Sequence, residues 1–179
     1  WSSDVCSSDL SGTFYYYRGA GITLGHRQNQ WTFFFSSRKL DAHLLQDSSG
    51  MRSPVVTSIV RSGYHRTVLE NQQRGVLGLR TIGGQWKHRW GNGHIALNAV
   101  HHHFQHSLEP GEEPYEKYYL RGRSLTNFSI DHSITYRNLH WFSEWATRAF
   151  RSTAWCTGLL VTLHQRLDAA FLVRNWASS

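Results

Sequence analysis

Four histidines within six residues, His101, His102, His103 and His106, form the densest group of metal-ligating side chains in this chain of 179 residues. Imidazole binds zinc, copper or nickel, and a resident ion needs three or four converging donors. The spacing does not supply them. In a strand, alternate residues point to opposite faces, so His101 and His103 share a face and His102 leaves it. His101 and His103 are therefore the only metal candidates, and neither a native metal nor another cofactor is expected. Asp131, His132 and Glu144 carry groups suited to proton transfer. Asp131 and Glu144 are expected on one polar face of a hairpin, where water or arginines meet them, so no catalytic residue is expected and the chain does not read as an enzyme. The glycines of Gly19-Ala20-Gly21 and Gly83-Gly84 lack the following helix that a dinucleotide fingerprint requires. They read as bends in strands.

The elements that would position these groups begin after residue 10. Trp1–Leu10 reads as translated sequencing-library adapter and is expected to be non-native, leaving 11–179 as one partial domain. The balance of 19 basic and 12 acidic residues, net +7, raises the question of nucleic acid, since lysines and arginines neutralise phosphates. The basic residues are dispersed, however: Arg27, Lys87, Arg89, Arg137 and Arg166 each fall beside an expected tight turn. Nucleic acid is accordingly not expected as a partner of this segment. Mean hydropathy is −0.48, and no stretch approaches the ~20 apolar residues of a transmembrane helix. A β-barrel stays compatible with that low value, because half of each strand faces a polar lumen.

Period two dominates the chain. From Leu125 to Arg137, Phe128, Ile130, Ile134 and Tyr136 occupy one parity, and Asn127, Ser129, Asp131, Ser133 and Thr135 the other. His132 breaks the apolar set. After a turn at Arg137-Asn138, Leu139, Trp141 and Trp145 share a face opposite His140, Glu144 and Arg148. Trp155, Leu159, Val161 and Leu163 continue the alternation towards a turn at Gln165-Arg166. Earlier pairs are expected at 19–27 with 31–39, and at 75–90 with 94–104. The second of these is joined by Gly91-Asn92-Gly93, with the positive φ that hairpin turns favour. Connections near Gln28, Asn92, Asn138 and Gln165 are short, whereas those at 40–74, 105–124 and 149–153 are longer. Tight turns at one rim and longer loops at the other are a property of outer-membrane barrels.

The fold expected is all-β, an antiparallel up-and-down meander of about eight strands forming part of an open or incomplete outer-membrane β-barrel. The expected lumen-facing residues are Asn127, Ser129, Asp131, Thr135, His140 and Glu144. The expected lipid-facing residues are Phe128, Ile130, Ile134, Tyr136, Leu139, Trp141, Trp145, Leu159, Val161 and Leu163. Membrane lipid, the outer-membrane assembly machinery and the remainder of its own chain are the partners this implies. Two other readings compete: the barrel of a TonB-dependent receptor, and a soluble β-sandwich or lipocalin-like binder. Within the 40–74 loop, Gly63, Tyr64, His65, Arg66, Thr67 and Glu70 form a local motif. There Thr67 and Glu70 match a capping box, which predicts a short helix.

These residues also carry a family resemblance. Arg18-Gly19-Ala20-Gly21, Ser62-Gly63-Tyr64-His65-Arg66-Thr67 with Glu70, Gly83-Gly84 and Tyr119-Leu120-Arg121-Gly122 make most of 18–176 similar to large outer-membrane barrel proteins of Gram-negative bacteria that carry helix-hairpin-helix modules ahead of the barrel. The resemblance implies an outer-membrane barrel, with DNA-backbone binding residing in modules that no pattern between Ser11 and Ser179 matches.

Overall fold

The structure is a computed structural model that describes residues 17–45, 54–60, 63, 65–109, 111, 119–149, 152–164 and 166–176. Ten strands and one short helix are present among them: β1 (Gly19–His26), β2 (Asn29–Leu40), β3 (Ala42–Leu45), β4 (Val55–Ile59), α1 (Val68–Gln72), β5 (Leu77–Trp90), β6 (Gly93–Leu108), β7 (Gly122–Tyr136), β8 (Leu139–Arg148), β9 (Ser152–His164) and β10 (Leu167–Trp176). The fold is all-β and up-and-down, with neighbours in the order β1-β2-β5-β6-β7-β8-β9-β10. These eight strands are the meander read from the alternation. The count of about eight is corrected to ten by β3 and β4, which lie in the stretch read as loop. β4 also departs from the antiparallel rule, pairing with β6 in parallel through Val55↔Ser107 and Val56↔Leu108.

Short connections fall at 27–28, 91–92, 137–138 and 165–166, and the others at 41–76, 109–121 and 149–151. The last of these is three residues long, shorter than the 149–153 expected because β9 begins at Ser152. Positive φ falls at Arg27 (52°), Arg137 (53°) and Ala149 (46°), and not at Gly91, Asn92 or Gly93. Glycine at 93 answers to space instead: an added Cβ would lie 2.7 Å from the Ser133 carbonyl oxygen and 3.0 Å from the Trp90 ring. A further regularity links the tight turns to the next strand. Arg89 N donates to the Gln28 carbonyl (2.8 Å), Thr135 N to that of Asn92 (2.8 Å) and Thr162 N to that of Asn138 (2.9 Å). The side-chain amides of Asn92 and Asn138 return the bond to the carbonyls of Thr135 and Thr162, each at 2.6 Å. Turn asparagines thus satisfy backbone groups that a strand end would leave open.

The chain divides into two compact units, one of residues 1–19, 36–81 and 103–124, the other of 20–35, 82–102 and 125–179. In the first, Leu40, Ala42, Val56, Leu77, Leu79, Phe104 and Leu108 form a buried core, with Leu44, Ile59, Val76 and Leu120 packed against it. Side chains of the opposite parity, Lys39, Arg80, His103 and Gln105, are exposed. Alternation here has the sense usual in water, apolar inside and polar outside. Burial of the branched side chains of β3 and β4 against this core is what makes strands of such short runs.

Candidate functional site

In the second unit neither face is covered: Ile130, Trp141 and Trp145 of one parity and Thr135, Glu144 and Arg148 of the other are exposed. The register carries four-stranded rungs across β7, β8, β9 and β10. Asp131 faces Glu144, which faces Cys156, which faces Arg174. One residue away, Ile130, Trp145, Trp155 and Asn175 form a rung on the other face, His132, Ser143, Thr157 and Val173 form the next, and Ile134, Trp141, Leu159 and Phe171 the one after. Tyr136, Leu139 and Val161 continue it, and Phe128 stands opposite Thr147. Leu163 has the same parity and is exposed. Asn127, Ser129, Asp131, Thr135, His140 and Glu144 occupy the polar face. The two groups separated by the alternation are therefore on opposite faces.

The apolar face is open. Ile130 is 42% exposed, Trp141 43%, Trp145 41% and Phe171 63%. Two shallow grooves cross it. One, of about 470 Å³, has walls that include Trp31, Phe33, Leu97, Phe128, Ile130 and Trp145. The other, of about 450 Å³, lies among Leu139, Trp141, Leu159, Phe171 and Val173. Several polar atoms on this face are bonded within it. The Trp141 indole N–H donates to Thr157 Oγ1 (3.0 Å), whose hydroxyl donates to the Phe142 carbonyl (3.2 Å). His101 Nδ1 meets Thr126 Oγ1 at 2.8 Å. Asn29 Oδ1 accepts from the Trp86 indole at 3.2 Å and meets His88 Nδ1 at 2.9 Å. His132 packs edge-on against Trp141, ring centroids 4.4 Å apart, and its buried Nε2 has no partner.

The polar face is held by a ladder that runs from β5 to β7. Gln85 Nε2 donates to Asn98 Oδ1 (2.7 Å), and Asn98 Nδ2 donates to Ser129 Oγ (3.1 Å) and Asp131 Oδ2 (2.8 Å). His94 Nε2 lies 3.3 Å from Asp131 Oδ1. Two carboxylates directly opposite each other repel, and Asp131 relieves this by turning towards β6 instead of Glu144. Every oxygen of Asp131 is thereby engaged in structure. Thr135 Oγ1 binds His140 Nδ1 at 2.8 Å. Alternate small residues make room for large ones: Phe142 covers Gly158, its partner on β9, and Phe34 covers Gly83.

Among the described residues, no three His, Cys, Asp or Glu side chains converge as metal ligands. His101 spends one nitrogen on Thr126, and His103 is exposed. The loop motif is in part a capping structure. Thr67 caps α1, accepting from Glu70 N at 3.2 Å, while Glu70 Oε2 accepts from the amides of Arg66 (2.6 Å) and Thr67 (3.1 Å). His65 Nε2 lies 2.8 Å from Asp41 Oδ2, and Gly63 takes a positive φ of 66°. Tyr64 lies outside the described residues. The Asp41 contact has no signature in local spacing, since 24 residues separate it from His65.

The two amides donated to Glu70 hold its carboxyl below the usual carboxylate range. A folded value below the unfolded one means that the stabilisation is whole above about pH 4.5 and is lost as pH falls through the folded value. Acidification from pH 6 towards pH 3 is therefore expected to lower the protection of the Arg66 and Thr67 amides, taken relative to their intrinsic exchange at each pH, while the amides of β7 and β8 stay protected. Equal protection at both pH values would show that the carboxylate does not hold this turn.

Among known proteins, the chain matches no family model, no curated protein and no solved structure.

Proposed function

We propose that this chain is the strand-bearing part of an outer-membrane β-barrel, non-catalytic, with the open apolar face of its second unit against lipid and the ladder of Gln85, Asn98, Ser129 and Asp131 towards a watery lumen. The observation that carries the reading is an apolar face that nothing covers. In the first unit apolar side chains are buried, as water demands, whereas in the second unit Ile130, Trp141, Trp145 and Phe171 stand open on one face of the sheet. A hydrocarbon solvent reverses the sense of burial and requires each polar atom to be bonded internally. The indole of Trp141, His101 and the group around Asn29 meet that requirement on the apolar face itself. The buried Nε2 of His132 does not meet it. No helix of the described residues is long and apolar enough to cross a membrane, which leaves strands as the spanning element. The resemblance to barrels of the helix-hairpin-helix family agrees with this reading. It makes lipid and the outer-membrane assembly machinery the partners, and the remainder of the parent chain the third.

The test uses the whole chain reconstituted into phosphatidylcholine vesicles whose acyl chains carry bromine. Tryptophan fluorescence is expected to fall relative to unbrominated vesicles, because Trp141, Trp145 and Trp155 share the open face. Protein that is monodisperse in buffer without detergent and shows no bromine quenching would establish a soluble sheet.

A further inference from the structure

The first unit contains a pocket of about 540 Å³ beside the loop motif, and its walls include Arg18, Arg38, Lys39 and Arg74 together with Asp41 and His65. Four cationic side chains and one carboxylate make it the most strongly charged concavity among those described. The carboxylate offsets one of those charges, and its oxygens are turned into the loop. Asp41 Oδ2 faces His65 Nε2 at 2.8 Å and Oδ1 accepts the Gly75 amide at 2.7 Å, so both oxygens are committed to holding the loop. The backbone around the cations is fixed as well. The Arg18 carbonyl accepts from both Ser36 Oγ (2.9 Å) and Ser37 N (2.8 Å). The Arg38 guanidinium lies 4.2 Å from the centroid of the Tyr17 ring. Lys39 runs its stem along Gly75, whose positive φ of 62° turns the chain after Arg74.

We propose that this pocket binds a phosphate group carried on a larger body, of the size of a sugar phosphate or a phosphorylated lipid headgroup. Guanidinium forks match phosphate oxygens in pairs, and three arginines in one cavity favour that anion over a single carboxylate. The volume exceeds what a bare anion fills and lies in the range of small-molecule sites. The inference stands apart from the lipid-facing reading of the second unit, since it draws only on residues of the first.

The experiment titrates the full chain, in zwitterionic detergent micelles, with inorganic phosphate and with glucose 6-phosphate, following heat of binding. A parallel arm titrates the same micelles with a short-chain phosphatidic acid, with phosphatidylcholine of equal chain length as the control. Replacing Arg18 and Arg74 together by glutamine is expected to weaken binding by about tenfold or more. Both side chains are exposed, so the fold tolerates the change. Replacing Arg137 and Arg166, which removes the same charge at tight turns, is expected to leave binding within about twofold. Binding of the soluble phosphates with this dependence supports the proposal with a free ligand. Binding of the phosphatidic acid alone, with the same dependence, supports it with a lipid headgroup. No binding of any probe, or equal losses in the two double variants, would overturn it.

Discussion

Ile130→Arg is expected to destabilise the chain in lipid vesicles by about 2–4 kcal/mol, the cost of a cation on the lipid face of a barrel near the bilayer midplane. Ile130 stands on the open face of β7, opposite Trp145, with 42% of its surface accessible. If that face met water, arginine there would change stability by no more than about 0.5 kcal/mol, as surface substitutions usually do. Ser129→Arg, one residue away on the polar face, is expected to cost about 1 kcal/mol, chiefly the bond that Ser129 accepts from Asn98. Urea unfolding of the reconstituted protein reads all three quantities. A near-zero effect at Ile130 would remove lipid as its solvent, and a larger effect at Ser129 than at Ile130 would exchange the two faces.

How far such residues can be read from sequence depends on what enforces their geometry. The parity of the β7 and β8 hairpin was legible, because a mostly apolar face writes its period into the residues even where His132, Ser143 and Thr147 interrupt it. Phe128, Ile130, Ile134, Tyr136, Leu139, Trp141 and Trp145 fall on one side of the observed register without exception. β3 and β4 were not legible. Four and five residues are too few to show a period, and their pairing depends on β6 and on a core assembled from distant segments. The glycines at 91 and 93 misled for a related reason. Glycine signals either a left-handed backbone or a close approach, and only the neighbouring Ser133 carbonyl decides which applies to Gly93.

The site residues divide along the same line. Thr67 and Glu70 could be paired from their spacing, since a capping box is a local structure. Asn98 could not be singled out, because its three partners lie on two other strands and its role exists only once β5, β6 and β7 are in register. Asn29 was assigned to a turn, yet it begins β2 and gathers Trp86 and His88 from nearly sixty residues away. Polar residues that bond across strands leave no trace in the residues beside them, whereas apolar residues that fill a face leave a periodic one.

Leu77→Ala is expected to cost about 2–5 kcal/mol, through lost transfer energy and the cavity it leaves. Leu77 is fully buried at the start of β5, in a core with Leu40, Val56, Leu79, Phe104 and Leu108. Four chain segments meet there, so collapse to fill the space would require backbone of several strands to move. Leu69→Ala, on the exposed side of α1 with 64% accessibility, is expected to change stability by less than about 0.5 kcal/mol. Amide exchange at Val56 and Leu79 reports the loss locally. The two large effects also respond differently to solvent: the Leu77 core is closed by protein, so its loss should be the same in micelles and in vesicles of any thickness, whereas the cost at Ile130 should track the depth at which the bilayer places it. A Leu77→Ala effect below about 1 kcal/mol would mean that this core is not packed.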